Sequence, residues 1–193
     1  MPRLFTAIEL PEEVQDLLAE LEQPLPGAKW VDTGNLHLTL RFFGDVNGGA
    51  ARDLEAELNG VDTDAFEIHL TGLGVFGGDD PRVLWAGVSP SPALDALARA
   101  HERAARNAGL PPEKRPFKAH VTLARLRGAS PAQAASYLSQ RGMFKTAPFF
   151  VGRAVLLSSK PLVGGGPYVI EATYPLRGGY DGDWDEDHAA ENA

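Results

Sequence analysis

The chain has 193 residues, 44% hydrophobic and 23% charged, enough for one compact domain or two small lobes sharing a core. It contains no cysteine, which excludes disulfides, thiolate nucleophiles and cysteine-bound zinc, so chemistry falls to His, Asp, Glu, Ser, Thr, Lys or Arg. The net charge of −8 argues against a nucleic-acid partner at first sight, but Asp181, Asp183, Asp185, Glu186, Asp187 and Glu191 all lie in the tail 181–193; without them the body carries −2 and has room for a local positive patch.

In chain order, Leu4–Leu10 predicts a strand and Pro11–Glu22 a helix with Val14, Leu17, Leu18 and Leu21 on one face. A Pro/Gly loop at Pro24–Gly27 leads to a strand over Leu36–Phe43, then a helix over Gly49–Leu58. Strands over Phe66–Val75 and Val83–Val88 flank the turn-rich Gly77-Gly78-Asp79-Asp80-Pro81. The longest helix, Pro92–Ala108, opens on Ser/Pro signals and stops at Gly109. His120–Leu126 predicts a strand, Pro131–Gln140 a helix and Phe149–Ser158 a strand. Gly164-Gly165-Gly166 reads as a hairpin loop into a last strand, Tyr168–Tyr174. The acidic, apolar-poor tail 181–193 predicts disorder. No run approaches the ~18 apolar residues of a membrane span, and the N-terminus lacks a charged-then-apolar signal region, so a cytoplasmic protein without a membrane partner is expected.

The pattern repeats internally. Leu4-Phe5-Thr6-Ala7-Ile8 resembles Leu84-Trp85-Ala86-Gly87-Val88 at an offset of 80 residues, and His37-Leu38-Thr39-Leu40 resembles His120-Val121-Thr122-Leu123 at an offset of 83. Phe66 and Phe149, each opening a strand, are also 83 apart. Repeats of about 3–76 and 83–159 within one domain, 1–180, are therefore expected. Duplicated halves pack about a pseudo-two-fold axis, which lets residues 83 positions apart share a site.

Side chains alternate along a strand, so His37 and Thr39 share one face while Leu38 and Leu40 take the other. His120 and Thr122 are set against Val121 and Leu123 in the same way. Arg41 and Phe43 continue the first motif's face and become candidate substrate contacts. Arg125 has the wrong parity for the second motif, and a bulge is needed to bring it in. Two facing imidazoles with ordinary pKa values near ~6.5 suit acid–base attack on a phosphodiester, one neutral and one protonated. The threonine hydroxyls then donate to the non-bridging oxygens. A lone His-x-Thr on a strand is usually a plain surface pair; two at equivalent places weigh towards catalysis.

Zinc needs three or four ligands, and the other histidines supply none: His69 lies on its strand's opposite face from Phe66, Ile68 and Leu70, His101 on a helix and His188 in the tail. No metal or cofactor is expected. Lys114, Arg115, Lys118, Arg125 and Arg127 form a basic segment around the second motif, suited to phosphate or equally to solvent. Phe43 and Phe76 are candidates for stacking on a base, and Trp30 and Trp85 read as core.

These residues resemble the two-histidine phosphoesterase superfamily, and within it the RNA 2′,3′-cyclic phosphodiesterase group, also called LigT-like or 2′-5′ RNA ligase proteins. The resemblance runs from Arg3–Ile8 to Tyr168 and Pro175-Leu176. It is strongest over Asn35–Gly44 (NLHLTLRFFG), Leu84–Val88 and His120–Arg125 (HVTLAR). It implies a bilobal α+β fold of two pseudo-symmetric halves, with antiparallel sheets around a central cleft and helices outside. It also implies metal-independent hydrolysis of RNA 2′,3′-cyclic phosphate ends to 2′-phosphomonoesters. His37 would then be the proton donor and His120 the acceptor, with Thr39, Thr122 and Arg125 binding phosphate and Lys118 a possible substrate contact. Ala119 departs from the proline that often precedes the second histidine. The expected partner is RNA with cyclic phosphate ends, or cyclic nucleotides, handled by a monomer. Two other readings fit: the same centre acting on another cyclic nucleotide or joining 2′-5′ linkages, and a non-catalytic module that binds RNA ends.

Overall fold

The computed structural model describes residues 3–159 and 166–179. The glycine triplet up to Gly165 and the acidic tail, for which a hairpin and disorder are expected, lie outside the described residues.

The elements follow the expected order. Strand β1 (Arg3–Glu9) leads to helix α1 (Glu12–Ala19), β2 (Ala28–Trp30), a 3-10 turn (Thr33–Asn35), β3 (His37–Asp45) and α2 (Gly48–Asn59). Next come β4 (Phe66–Ile68), β5 (Leu70–Phe76), β6 (Val83–Val88), α3 (Pro92–Asn107), β7 (His120–Leu126), α4 (Pro131–Arg141), β8 (Phe149–Val151), β9 (Arg153–Ser159) and β10 (Val169–Pro175). Two strands read as continuous in the sequence are each broken: Phe66–Val75 at His69, and Phe149–Ser158 at Gly152. The freed segments β4 and β8 pair with each other as a separate two-stranded sheet. The short strand β2, in what reads as loop, adds to β7.

Local chemistry fixes the helix starts. Asn47 accepts the Ala50 N–H, Ser91 accepts the Leu94 N–H with Pro92 opening α3, and Ser130 and Gln133 form a reciprocal capping box on α4.

The main sheet is antiparallel, in the order β10-β9-β1-β3-β7-β6-β5. It consists of two four-stranded blocks, β10-β9-β1-β3 and β5-β6-β7-β2, joined at the pair Leu38↔Val121 between β3 and β7. The blocks exchange strands: β5, from the first sequence repeat, pairs with β6 of the second, and β9, from the second, pairs with β1 of the first. Sequence repeat and spatial block therefore do not coincide.

One face of the sheet carries the helices. Leu38, Leu40, Leu84, Ala86, Val121 and Leu123 pack with Val14 and Leu18 of α1 and Leu94 and Leu97 of α3 in the largest core cluster. Leu4, Leu156 and Tyr174 meet Leu54 and Leu58 of α2 and Ala104 and Ala105 of α3 in a second cluster. Phe5, Ala7, Val155 and Leu157 lie on the opposite face with Tyr168 packed against them. That face, free of helices among the described residues, carries both His-x-Thr motifs.

Candidate active site

The seam between the blocks builds the site. With Leu38 opposite Val121 in an antiparallel pair, His37 comes level with Thr122 and Thr39 with His120. Leu38 and Val121 are fully buried beneath the helices, so all four neighbours point to the other face. His37 and His120 are then diagonal neighbours with a Cα spacing of roughly 7–8 Å, a gap that suits one phosphate group.

Both imidazoles are held alike. His37 Nδ1 lies 2.7 Å from the carbonyl oxygen of Asn35, and His120 Nδ1 lies 2.7 Å from that of Lys118. A carbonyl only accepts, so each Nδ1 carries the proton and each Nε2 is left to exchange one. Burial pulls the pKa of both rings below the ordinary histidine value. The bond to the Asn35 carbonyl opposes this at His37, and His120 pulls it further down, as expected of rings close enough to repel when both are charged. At His120 the carbonyl of Lys118 opposes the shift and the Lys118 ammonium adds to it.

Arg125 joins this face through the bulge its parity requires. In the β6–β7 ladder Trp85 is opposite Thr122 but Leu84 opposite Ala124, so Leu123 is the extra residue. Leu123 and Ala124 are both buried, and Arg125 emerges exposed on the side of His120 and Thr122. It lies near enough to Tyr168 to oppose the rise that burial imposes on the phenol's pKa.

The same bulge in the first motif overturns two expectations. In the β1–β3 ladder Ala7 is opposite Thr39 and Thr6 opposite Arg41, leaving Leu40 as the extra residue. Arg41 therefore turns away from His37. It is buried under the helix layer, with Nε 2.5 Å from Glu102 Oε2 on α3. Phe43 follows it, its ring 5.7 Å from the Arg41 guanidinium carbon. Neither shares the face of His37 and Thr39. Phe42, equivalent to Arg125 at the 83-residue offset, occupies that face instead, 44% exposed and 6.3 Å from the Phe5 ring.

An aromatic wall surrounds each imidazole. Phe5 and Tyr168 lie 5.0 and 5.1 Å from His37, and Phe76 and Trp85 lie 5.0 and 6.5 Å from His120. Lys118 Nζ sits 4.6 Å over Trp85 and 5.1 Å over Phe76, which places this expected contact at the second histidine. Trp85, read as core in the sequence, is thus a site residue, whereas Trp30 packs against Tyr137 at the core. A Cβ on Gly74 would collide with the Trp85 ring, so only glycine lets the indole lie flat there. Phe5, Phe42 and Tyr168 escaped the sequence reading. The repeat offsets were the available signal for two of them: 80 equates Phe5 with Trp85, and 83 equates Phe42 with Arg125. Among the described residues no three His, Cys, Asp or Glu side chains converge in a way that would hold a metal ion.

The family model described as LigT like Phosphoesterase matches residues 8–85 and 87–168. The chain belongs to this family. Relatives named RNA 2′,3′-cyclic phosphodiesterase include those of Aeropyrum pernix (38% identical over 60% of this chain and 65% of that protein) and Geobacillus stearothermophilus (30%, over 92% and 58%). That of Archaeoglobus fulgidus is 34% identical over 67% of this chain and 75% of its own. The chain thus matches somewhat under two thirds of the first two relatives' length and three quarters of the third's. Among solved structures of this LigT-like fold, Escherichia coli LigT complexed with 3′-AMP superposes with a TM-score of 0.74 at 28% identity, covering 91% of this chain and 99% of that one. A Thermus thermophilus protein gives the same TM-score and identity over 92% of this chain and all of its own.

Proposed function

We propose that this protein hydrolyses 2′,3′-cyclic phosphate ends of RNA to 2′-phosphomonoesters, using the His37–His120 pair and no metal. The observation that carries the reading is the seam register, which sets both His-x-Thr motifs on one cleft face with each Nδ1 tied to a carbonyl. The LigT-like family and the activity named for its relatives point the same way.

In this mechanism Thr39, Thr122 and Arg125 bind the non-bridging oxygens, where charge builds in the transition state. Burial, with the Lys118 ammonium adding to it, disfavours charge on His120 and fits that ring as the base that takes a proton from water. The water oxygen bonds to phosphorus as the bond to O3′ breaks, and His37 Nε2–H delivers its proton to the departing oxygen. The incoming anionic phosphate favours the protonated form of His37 that this step needs. Phosphorus keeps its oxidation state and the two protons balance, leaving a 2′-phosphate and a free 3′-hydroxyl. Both imidazoles come from one chain, so a monomer suffices, and the cytoplasm is the compartment this reading assigns. Among the described residues no helix is long and apolar enough to cross a membrane.

The test is to offer purified protein a 2′,3′-cyclic nucleotide with chelator present and identify the product. A 2′-phosphate is expected; a 3′-phosphate would overturn the leaving-group assignment, and chelator-sensitive turnover would overturn metal independence. His37→Ala and His120→Ala should each lower kcat by ~10²–10⁴-fold while the folded spectrum is kept. Near-normal rates in either variant would defeat the acid–base pair.

A further inference from the structure

One charged feature is used by this reaction only at its last residue, Lys118. Between α3 and β7 the exposed loop 111–118 carries Lys114, Arg115 and Lys118, interleaved with Phe117, which is 38% exposed. Its single acid, Glu113, is shared: one carboxylate oxygen accepts the Lys114 and Arg115 N–H groups at 2.9 and 3.0 Å and lies 3.6 Å from Arg115 Nε, and the other lies 3.8 Å from Arg41 Nη1, so the loop keeps a net positive charge.

Both ends of the loop are fixed. Upstream, Arg41 Nη2 donates to the Pro111 carbonyl at 2.6 Å, and Glu102, paired with Arg41, accepts the Glu113 N–H at 3.2 Å. Downstream, the Lys118 carbonyl holds His120 and its ammonium lies over Trp85. Buried Arg41 is thus the loop's positioning residue, fixing the backbone from which the cations project.

The direction follows from the seam. Strand β3 runs on from Thr39 to Asp45 beyond its single pairing with β7, and the Arg41–Pro111 bond sets the loop beside this stretch. The wall around His37 is built from Phe5, Phe42 and Tyr168, whereas this loop leads out of the site with cations along it. We infer that residues 111–118 are the landing for the RNA strand on the 5′ side of the cyclic end. Lys114 and Arg115 contact its phosphates and Phe117 stacks on a base. The inference rests on the reaction proposed above and deepens it: the preferred substrate is an oligonucleotide ending in a cyclic phosphate, not a cyclic mononucleotide. Four residues of extended chain, Lys118 to Lys114, span up to ~13 Å, which reaches past the terminal nucleotide.

The test compares wild type with the double variant Lys114→Glu/Arg115→Glu on a 2′,3′-cyclic mononucleotide and on a short RNA ending in the same group. The wild type should prefer the RNA. Its log kcat/KM should fall with log salt more steeply than the variant's by about 1.4, from ~0.7 per single-strand phosphate contact. That is roughly sevenfold between ~50 and ~200 mM salt. In the variant, RNA turnover should drop about tenfold at low salt while mononucleotide turnover stays within about twofold. Equal loss on both substrates, no loss on either, or a wild type indifferent to chain length would overturn the landing alone. A wild type that turns over neither substrate would overturn the reaction as well.

Discussion

Acidification should weaken this fold through His101, a buried histidine that the chemistry does not use. His101 is 1% exposed in the middle of α3, and its Nδ1 lies 2.8 Å from Thr6 Oγ1 on β1. Burial lowers its pKa from the ordinary ~6.5 to about 4. Between those values the unfolded chain binds a proton that the native protein refuses, so stability rises with pH across the window and is lost as pH falls. The slope is ~1.4 kcal/mol per pH unit, and integrating from pH ~7.5 to ~4.5 gives a loss of roughly 2.5 kcal/mol. Urea titrations followed by tryptophan fluorescence should show it as a midpoint shift of about 1 M for a typical slope near ~2 kcal/mol per molar. His37 and His120 titrate in the same direction, so the diagnostic is a difference. In His101→Asn, which keeps a polar atom near Thr6 but cannot ionise, the stability change between the two pH values should shrink by about the same roughly 2.5 kcal/mol. If the variant lost as much on acidification as the wild type, His101 would not be the acid-sensitive group. Thr6 adjoins Phe5, which packs on His37, so the same titration bears on the site.

The pH profile of kcat/KM should show an acid limb with its midpoint below ~6.5, because the base must be neutral and burial lowers both imidazoles; a midpoint above ~7 would contradict that. Arg41 and Arg125 should separate cleanly. Arg41→Met should cost about 1.5–3 kcal/mol of stability by breaking the charged bond to Glu102, whereas Arg125→Ala should raise KM or lower kcat with an unchanged melting temperature. A melting temperature unmoved by Arg41→Met would sink the buried-clamp assignment. Gly74→Ala should cost roughly 1–3 kcal/mol and slow turnover, as the new methyl forces Trp85 towards His120; steady-state rates and thermal melts check both.

Much of this site was legible in the sequence because it is short-range. Period-two alternation alone sets His37 with Thr39 and His120 with Thr122, since each leucine or valine between them has to be buried. The parity mismatch at Arg125 likewise demanded a bulge, and β7 has one at Leu123. Applying strict alternation to the other motif failed at Arg41 and Phe43, because the bulge at Leu40 depends on how β3 registers with β1, more than thirty residues away. The buried ion pair with Glu102 rewards that bulge, and nothing near Arg41 in the chain announces it.

The sequence by itself determined the two His-x-Thr pairs as the candidate groups and the face of its own strand that each pair occupies, because alternation over three residues is a property of the strand alone. Only the tertiary structure decided that the two strands meet at Leu38 and Val121, that β5 and β9 cross between blocks, and that Phe42, Trp85 and Tyr168 wall the cleft. Those outcomes depend on pairing and burial between distant segments, where the energy of packing the whole core outweighs any local preference.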